Sequence, residues 1–95
     1  IPGDGIYATK SLVNGRSLQS ISYIGKNPTF DGDKRTIEVH ILDFNQDLYG
    51  QRLSVEFISK IRSDIRFSNT KELVDQMNVD VSKAREILSE NLKNG

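Results

Sequence analysis

Up to about residue 61 the apolar positions fall in short alternating runs, and beyond Asn69 they step by three and four. The first pattern is that of strands, the second that of one face of a helix. Residues 5–12 read as a strand, and Asn14-Gly15 behind it is the strongest two-residue hairpin signal. The return strand covers residues 16–25, with Leu18, Ile21, Tyr23 and Ile24 as its apolar contacts. Residues 26–34 hold two turn dipeptides, Asn27-Pro28 and Asp31-Gly32, and read as a loop. A third strand over 35–44 puts Ile37, Val39 and Ile41 on one face and Thr36, Glu38, His40 and Leu42 on the other. After a turn over 45–50, residues 51–61 give a fourth strand with Leu53, Val55 and Phe57 in phase.

Leu73, Met77, Val81, Ala84 and Leu88 then draw a single apolar stripe, predicting a helix over about 70–91 with that row against the sheet. Asn69 and Glu72 have the spacing of a capping box, with Ser68 and Thr70 as competing caps. Asp80 can cap a second segment, which allows a break near Asn78. The predicted class is mainly β: a small antiparallel, split barrel or curled sheet (strands about 5–61) carrying a C-terminal amphipathic helix. Four strands do not easily close a barrel, so either the sheet stays open or strands are missing.

Ninety-five residues make one domain, 1–95, with a modest core. Thirteen Lys and Arg balance thirteen Asp and Glu, dispersed along the chain. That speaks against nucleic acid as a partner, since such binding draws on a strong positive field, and against a polybasic membrane module. No apolar run is long enough to span a bilayer. The absence of cysteine removes disulfides and thiolate chemistry, and fits a cytoplasmic location.

Candidate chemistry is sparse. The lone histidine, His40, reads as structural or superficial rather than as a metal ligand. No phosphate-binding Gly-rich loop or nucleophile elbow is present. Glu38 has two readings. It is a solvated strand residue if the Ile37–Val39–Ile41 row packs the core. Alternatively it points into a cleft under residues 26–34, where a partly desolvated carboxylate acts as a general base with a raised pKa.

Four stretches, read together, carry a resemblance. They are Gly5-Ile6-Tyr7-Ala8; Ile24-Gly25-Lys26-Asn27-Pro28-Thr29-Phe30; Glu38-Val39-His40-Ile41-Leu42-Asp43-Phe44 with Asp47-Leu48-Tyr49-Gly50; and Ile61-Arg62 with Arg66-Phe67 ahead of a helix bearing Asp80, Ala84 and Arg85. In order and spacing this set resembles the riboflavin kinase module, best known as the C-terminal half of bacterial bifunctional FAD synthetases. The resemblance implies transfer of the γ-phosphoryl of ATP to the ribityl 5′-hydroxyl of riboflavin, yielding FMN and ADP. It places the catalytic base at Glu38. It puts Asp43, Leu48 and Tyr49 beside the adenine, where Tyr49 either edges the purine or is an ordinary barrel-end aromatic. It puts Arg62 and Phe67 on the flavin side, although Phe67 can equally plug the helix onto the sheet.

The departures matter as much. The family's Gly-Phe-Pro-Thr-Ala-Asn stretch, whose Thr and Asn help hold Mg²⁺ and the ATP phosphates, has no match here, and Tyr23 stands where Asn usually precedes the Ile-Gly pair. The expectation is that the chain starts after the family's first strand and nucleotide flap. On that expectation it binds neither Mg²⁺ nor ATP tightly by itself, is inactive in isolation, and belongs to a protein with an N-terminal FMN adenylyltransferase domain. The alternative reading is a flavin-binding or assembly module without catalysis.

Overall fold

The computed structural model describes residues 2–29, 32–46 and 52–94. They form four strands and a helix: β1 Gly5–Val13, β2 Arg16–Thr29, β3 Gly32–Ile41, β4 Ser54–Arg62 and α1 Thr70–Asn94. The sheet has the order β3-β2-β1-β4 and every pairing is antiparallel. This is the predicted class.

The β1–β2 hairpin forms as its dipeptide dictates. Asn14 and Gly15 both take positive φ, 50° and 80°, which matches the right-handed twist of the flanking strands. The loop expected over 26–34 is corrected. Strand β2 continues to Thr29 and β3 begins at Gly32, with Lys26 opposite Arg35 and Pro28 opposite Asp33. Beyond Ile24 no β1 residue pairs with β2, so Pro28 sits where one side of the strand is unpaired and its missing N–H is tolerated. Gly32, at φ 118°, supplies a conformation that L side chains rarely adopt. Strand β3 also stops early, at Ile41. Leu42 still donates its N–H to the Gln19 carbonyl at 2.9 Å, and Asp43 then turns the chain at φ 55°.

The two faces of the sheet differ. One carries Ile6, Ala8 and Ile21, which with Leu42, Ala84 and Leu88 make the core under α1, joined by half-buried Tyr23, Ile58, Ile61, Val81 and Ile87. The other carries Thr9, Ser11, Ser20 and Ser22, all fully buried. Their hydroxyls bond one another: Thr9 to Ser20 at 2.7 Å, Thr9 to Ser22 at 3.0 Å and Ser11 to Ser20 at 2.7 Å. These side chains are buried although they face away from the helix. Register shifts interrupt the β1–β4 ladder between Ile6 and Tyr7 and between Ala8 and Thr9, the kind of irregularity that adds local twist.

Helix α1 is continuous through Asn78, so the break that Asp80 would allow does not occur. Asn69 wins the capping competition: its Oδ1 accepts the Glu72 N–H at 2.9 Å, while Glu72 reaches back to the Ser68 N–H at 3.1 Å. The stripe needs correction as well. Ala84 and Leu88 are buried and Val81 packs on the core, but Leu73 and Met77 stay 39% and 38% exposed. A helix of 25 residues is about 37 Å long, and among its described side chains the buried ones are Asp80, Ala84 and Leu88.

Candidate functional site

Strand pairing decides what lies beside Glu38. The register sets Tyr23 opposite Glu38 and Gly25 opposite Thr36, and Ile6 opposite Tyr23. Side chains paired across an antiparallel ladder share a face, so Ile6, Tyr23, Gly25, Thr36 and Glu38 all lie on the helix side. They line a cleft of about 190 Å³ together with Ile24, Lys26 and Asp64. Asp64 comes from residues 63–69, which join β4 to α1. Its Oδ2 lies 3.8 Å from where a Cβ on Gly25 would stand. The glycine is thus the floor, flanked by Glu38 on β3 and Asp64 across from it.

Glu38 therefore faces a cleft, but not under a loop over 26–34, since 26–29 and 32–34 are strand. Its side chain is exposed instead of desolvated. The Ile37–Val39–Ile41 row does pack away from it, with Ile41 buried and Ile37 42% exposed. Burial pushes the Tyr23 phenol above its ordinary value, the carboxylates of Asp80 and Glu38 push it further, and the Arg62 guanidinium opposes them. Tyr23 is a hydrogen-bond donor at neutral pH.

Arg62 ends β4 and is tied down. Its Nε donates to both Asp80 oxygens at 2.9 and 3.1 Å, Nη2 donates to Asp80 Oδ2 at 2.7 Å, and Nη1 to the Ser63 carbonyl at 3.1 Å. Asp80 is fully buried and also accepts from Gln76 at 3.0 Å. The Phe67 ring lies 5.8 Å from the guanidinium carbon, a cation–π contact. The structure brings Arg62 and Phe67 together, but the Arg62 fork is committed to Asp80, and Phe67 borders a separate hollow with Ile65, Arg66 and Val79. Asp80, expected as a cap, is instead the buried anchor of this clamp, a role that helical spacing does not announce.

Asp43 lies elsewhere, at the exit of β3, where Arg85 grips it with two hydrogen bonds of 2.8 and 3.0 Å. Those bonds, and then the charge, hold its carboxyl below the usual range. Because the folded value is depressed, the pair's contribution is present above the ordinary carboxylate range and fades as pH falls through the folded value. In an NMR titration, Arg85→Gln is expected to move the Asp43 carboxyl upward; an unmoved titration would show that the pair is not formed in solution. Leu48 and Tyr49 lie outside the described residues. Sequence reasoning missed Asp64 and the floor role of Gly25, for which only strand register gives the signal.

A four-stranded antiparallel sheet with a C-terminal helix and a cleft lined by Glu38 and Asp64 defines a small β-rich module. The family model described as Flavokinase, riboflavin kinase, matches residues 1–88, and the chain belongs to that family. The bifunctional riboflavin kinase/FMN adenylyltransferase of Haemophilus influenzae is 40% identical over 85 residues, covering 88% of this chain and 28% of that protein. The protein of the same name from Bacillus subtilis is 38% identical over 87 residues, with the same coverage. A crystal structure described as a macrolide-efflux protein from Streptococcus pneumoniae matches with TM-score 0.82 at 36% identity, over 90% of this chain and 28% of that one. The chain thus spans about 28% of the length of the relatives it matches. No helix among the described residues is long and apolar enough to cross a membrane.

Proposed function

We propose that this chain is the riboflavin-phosphorylating part of its protein, with ATP as phosphoryl donor and riboflavin as acceptor. The observation that carries the reading is the place of Glu38: a carboxylate at the wall of a cleft, on a strand whose Glu-x-His-x-Leu-Asp-Phe run gave the most specific part of the resemblance. A primary alcohol is a weak nucleophile. Glu38 accepts its proton as the ribityl oxygen bonds to the γ-phosphorus and the bond to the ADP oxygen breaks, giving FMN and ADP. Little covalent work falls to the protein, so positioning and electrostatics supply most of the rate. Asp43, Leu48 and Tyr49 remain proposed for the adenine side. Phe67 is proposed for the flavin side, with Arg62 holding it in place through their stacked contact. By analogy with the bifunctional relatives, an FMN adenylyltransferase domain is the proposed partner within the same protein, and the cytoplasm its proposed location.

Among the described residues no three His, Cys, Asp or Glu side chains cluster to hold a metal, and Mg²⁺ is proposed to come with the nucleotide phosphates rather than to sit in a protein-only site. Calorimetry with Mg²⁺ alone is expected to show no stoichiometric micromolar binding, and such binding would contradict the assignment. The function itself is tested by supplying the intact protein with riboflavin and Mg-ATP. FMN and ADP in equal amounts are expected, and flavin binding without any FMN would favour the non-catalytic module.

A further inference from the structure

We infer that the exposed apolar strip on the first two turns of α1, formed by Leu73, Val74 and Met77, is the seat of the adenylyltransferase domain of the same polypeptide. The inference rests on the reading of that domain as the partner, and adds the surface that receives it. Helix periodicity defines the strip. The face buried at Leu88, Ala84 and Asp80 runs on towards the N-terminus of α1, in steps of three and four, to Met77 and Leu73. Val74, three residues before Met77, lies beside them. Burial stops at Asp80: Leu73, Val74 and Met77 keep 39%, 46% and 38% of their exposure. The segment joining β4 to α1 lies on another flank of the helix, where Ile65 and Phe67 share a hollow with Glu72, Gln76 and Val79.

Position and size say what covers the strip. Gly5 pairs with Ile24 and Ile6 with Arg62, and Arg62 grips Asp80. Polypeptide upstream of β1 therefore joins the sheet at the end where α1 is anchored. The residues ahead of β1 are tied there, Asp4 to Arg35 at 2.8 Å and the Gly3 carbonyl to the Tyr7 hydroxyl at 2.7 Å. Met77 and Leu73 lie only about 4.5 and 10 Å along the helix from Asp80. The relatives are described as bifunctional, and this chain spans 28% of their length, so the larger part of such a protein is at hand to meet the strip. Three side chains less than half exposed offer far less than the about 800 Å² per partner of a free-standing complex. A tethered domain needs less, because its effective concentration is about millimolar, and interfaces within one chain start at about 600 Å² in all. Area thus favours the tethered domain over a second copy or a separate protein. Lys71, Asp75 and Asn78 border the strip on α1, giving an apolar centre with a polar rim, as interfaces have.

The test is photo-cross-linking in the intact protein, with benzoylphenylalanine in place of Met77 or, as control, of exposed Ser82 on the opposite face of α1. Half of the sample is labelled with heavy nitrogen, the halves are mixed before irradiation, and the joined peptides are weighed. The Met77 probe is expected to join to peptides of the adenylyltransferase domain carrying the same isotope, and the Ser82 probe is not. A probe at Leu73 repeats the measurement at a second site. Val74→Lys puts a charge into the strip and is expected to lower the Met77 yield about 10-fold, the order of burying one apolar side chain. Riboflavin phosphorylation should persist in that variant. Isotopically mixed pairs would place a second copy on the strip and overturn the inference. So would cross-links confined to this module, none at all, an equal yield from Ser82, or a yield that Val74→Lys leaves unchanged. Failure of the underlying reading shows separately. An intact protein that forms no FAD from FMN and ATP loses the adenylyltransferase reading, and the occupant with it. FAD formation without the Met77 cross-link overturns the docking surface alone.

Discussion

Replacing Glu38 by Gln is expected to lower turnover of riboflavin to FMN by about 10²–10⁴-fold, the range that loss of a general base gives. The substitution is nearly isosteric and the side chain is exposed on β3, so circular dichroism and the thermal midpoint should not change. KM for riboflavin should move little, because the amide still hydrogen-bonds the substrate hydroxyl and only proton acceptance is lost. The expected signature is therefore a fall in kcat and kcat/KM together. Full activity in the variant would make Glu38 a bystander. A large rise in KM at unchanged kcat would make it a binding group instead.

How far the sequence disclosed this site depends on which link is asked about. Element type was legible wherever local chemistry and pairing agree. Asn14-Gly15 can adopt the two positive φ values that a tight hairpin needs, and it does. The alternation through Ile37, Glu38, Val39 and His40 put Glu38 on the face opposite the Ile/Val row, where it lies. The reading failed where tertiary pairing overrides a local signal. Asn27-Pro28 looks like a turn, yet the β2–β3 ladder continues through it to Thr29 and satisfies the backbone there. Losing that loop changed the cleft: its second wall is Asp64, about 26 residues downstream of Glu38 and on no shared periodicity with it. Thr9, Ser11, Ser20 and Ser22 have the alternation of solvent-facing positions, yet they are buried and bond one another across β1 and β2.

The largest stability effect is expected at Asp80. Its carboxylate is completely buried and takes hydrogen bonds from Arg62 and Gln76, while the Arg62 side chain keeps 15% of its exposure. Asp80→Ala leaves the guanidinium without its counter-charge in a poorly hydrated site, and removing one partner of a buried pair costs about 3–5 kcal/mol. Because Arg62 retains some solvent, the lower end of that range is expected, about 3 kcal/mol. A domain of this size holds roughly 5–14 kcal/mol in total, so the urea midpoint should fall steeply at an unchanged slope. Arg62→Met combined with Asp80→Leu should recover much of the loss, since apolar side chains of similar volume often replace a buried pair at little cost. An unchanged urea midpoint in Asp80→Ala would show that the clamp carries no weight. A double variant no more stable than Asp80→Ala would show that the loss is not that of an unpaired buried charge.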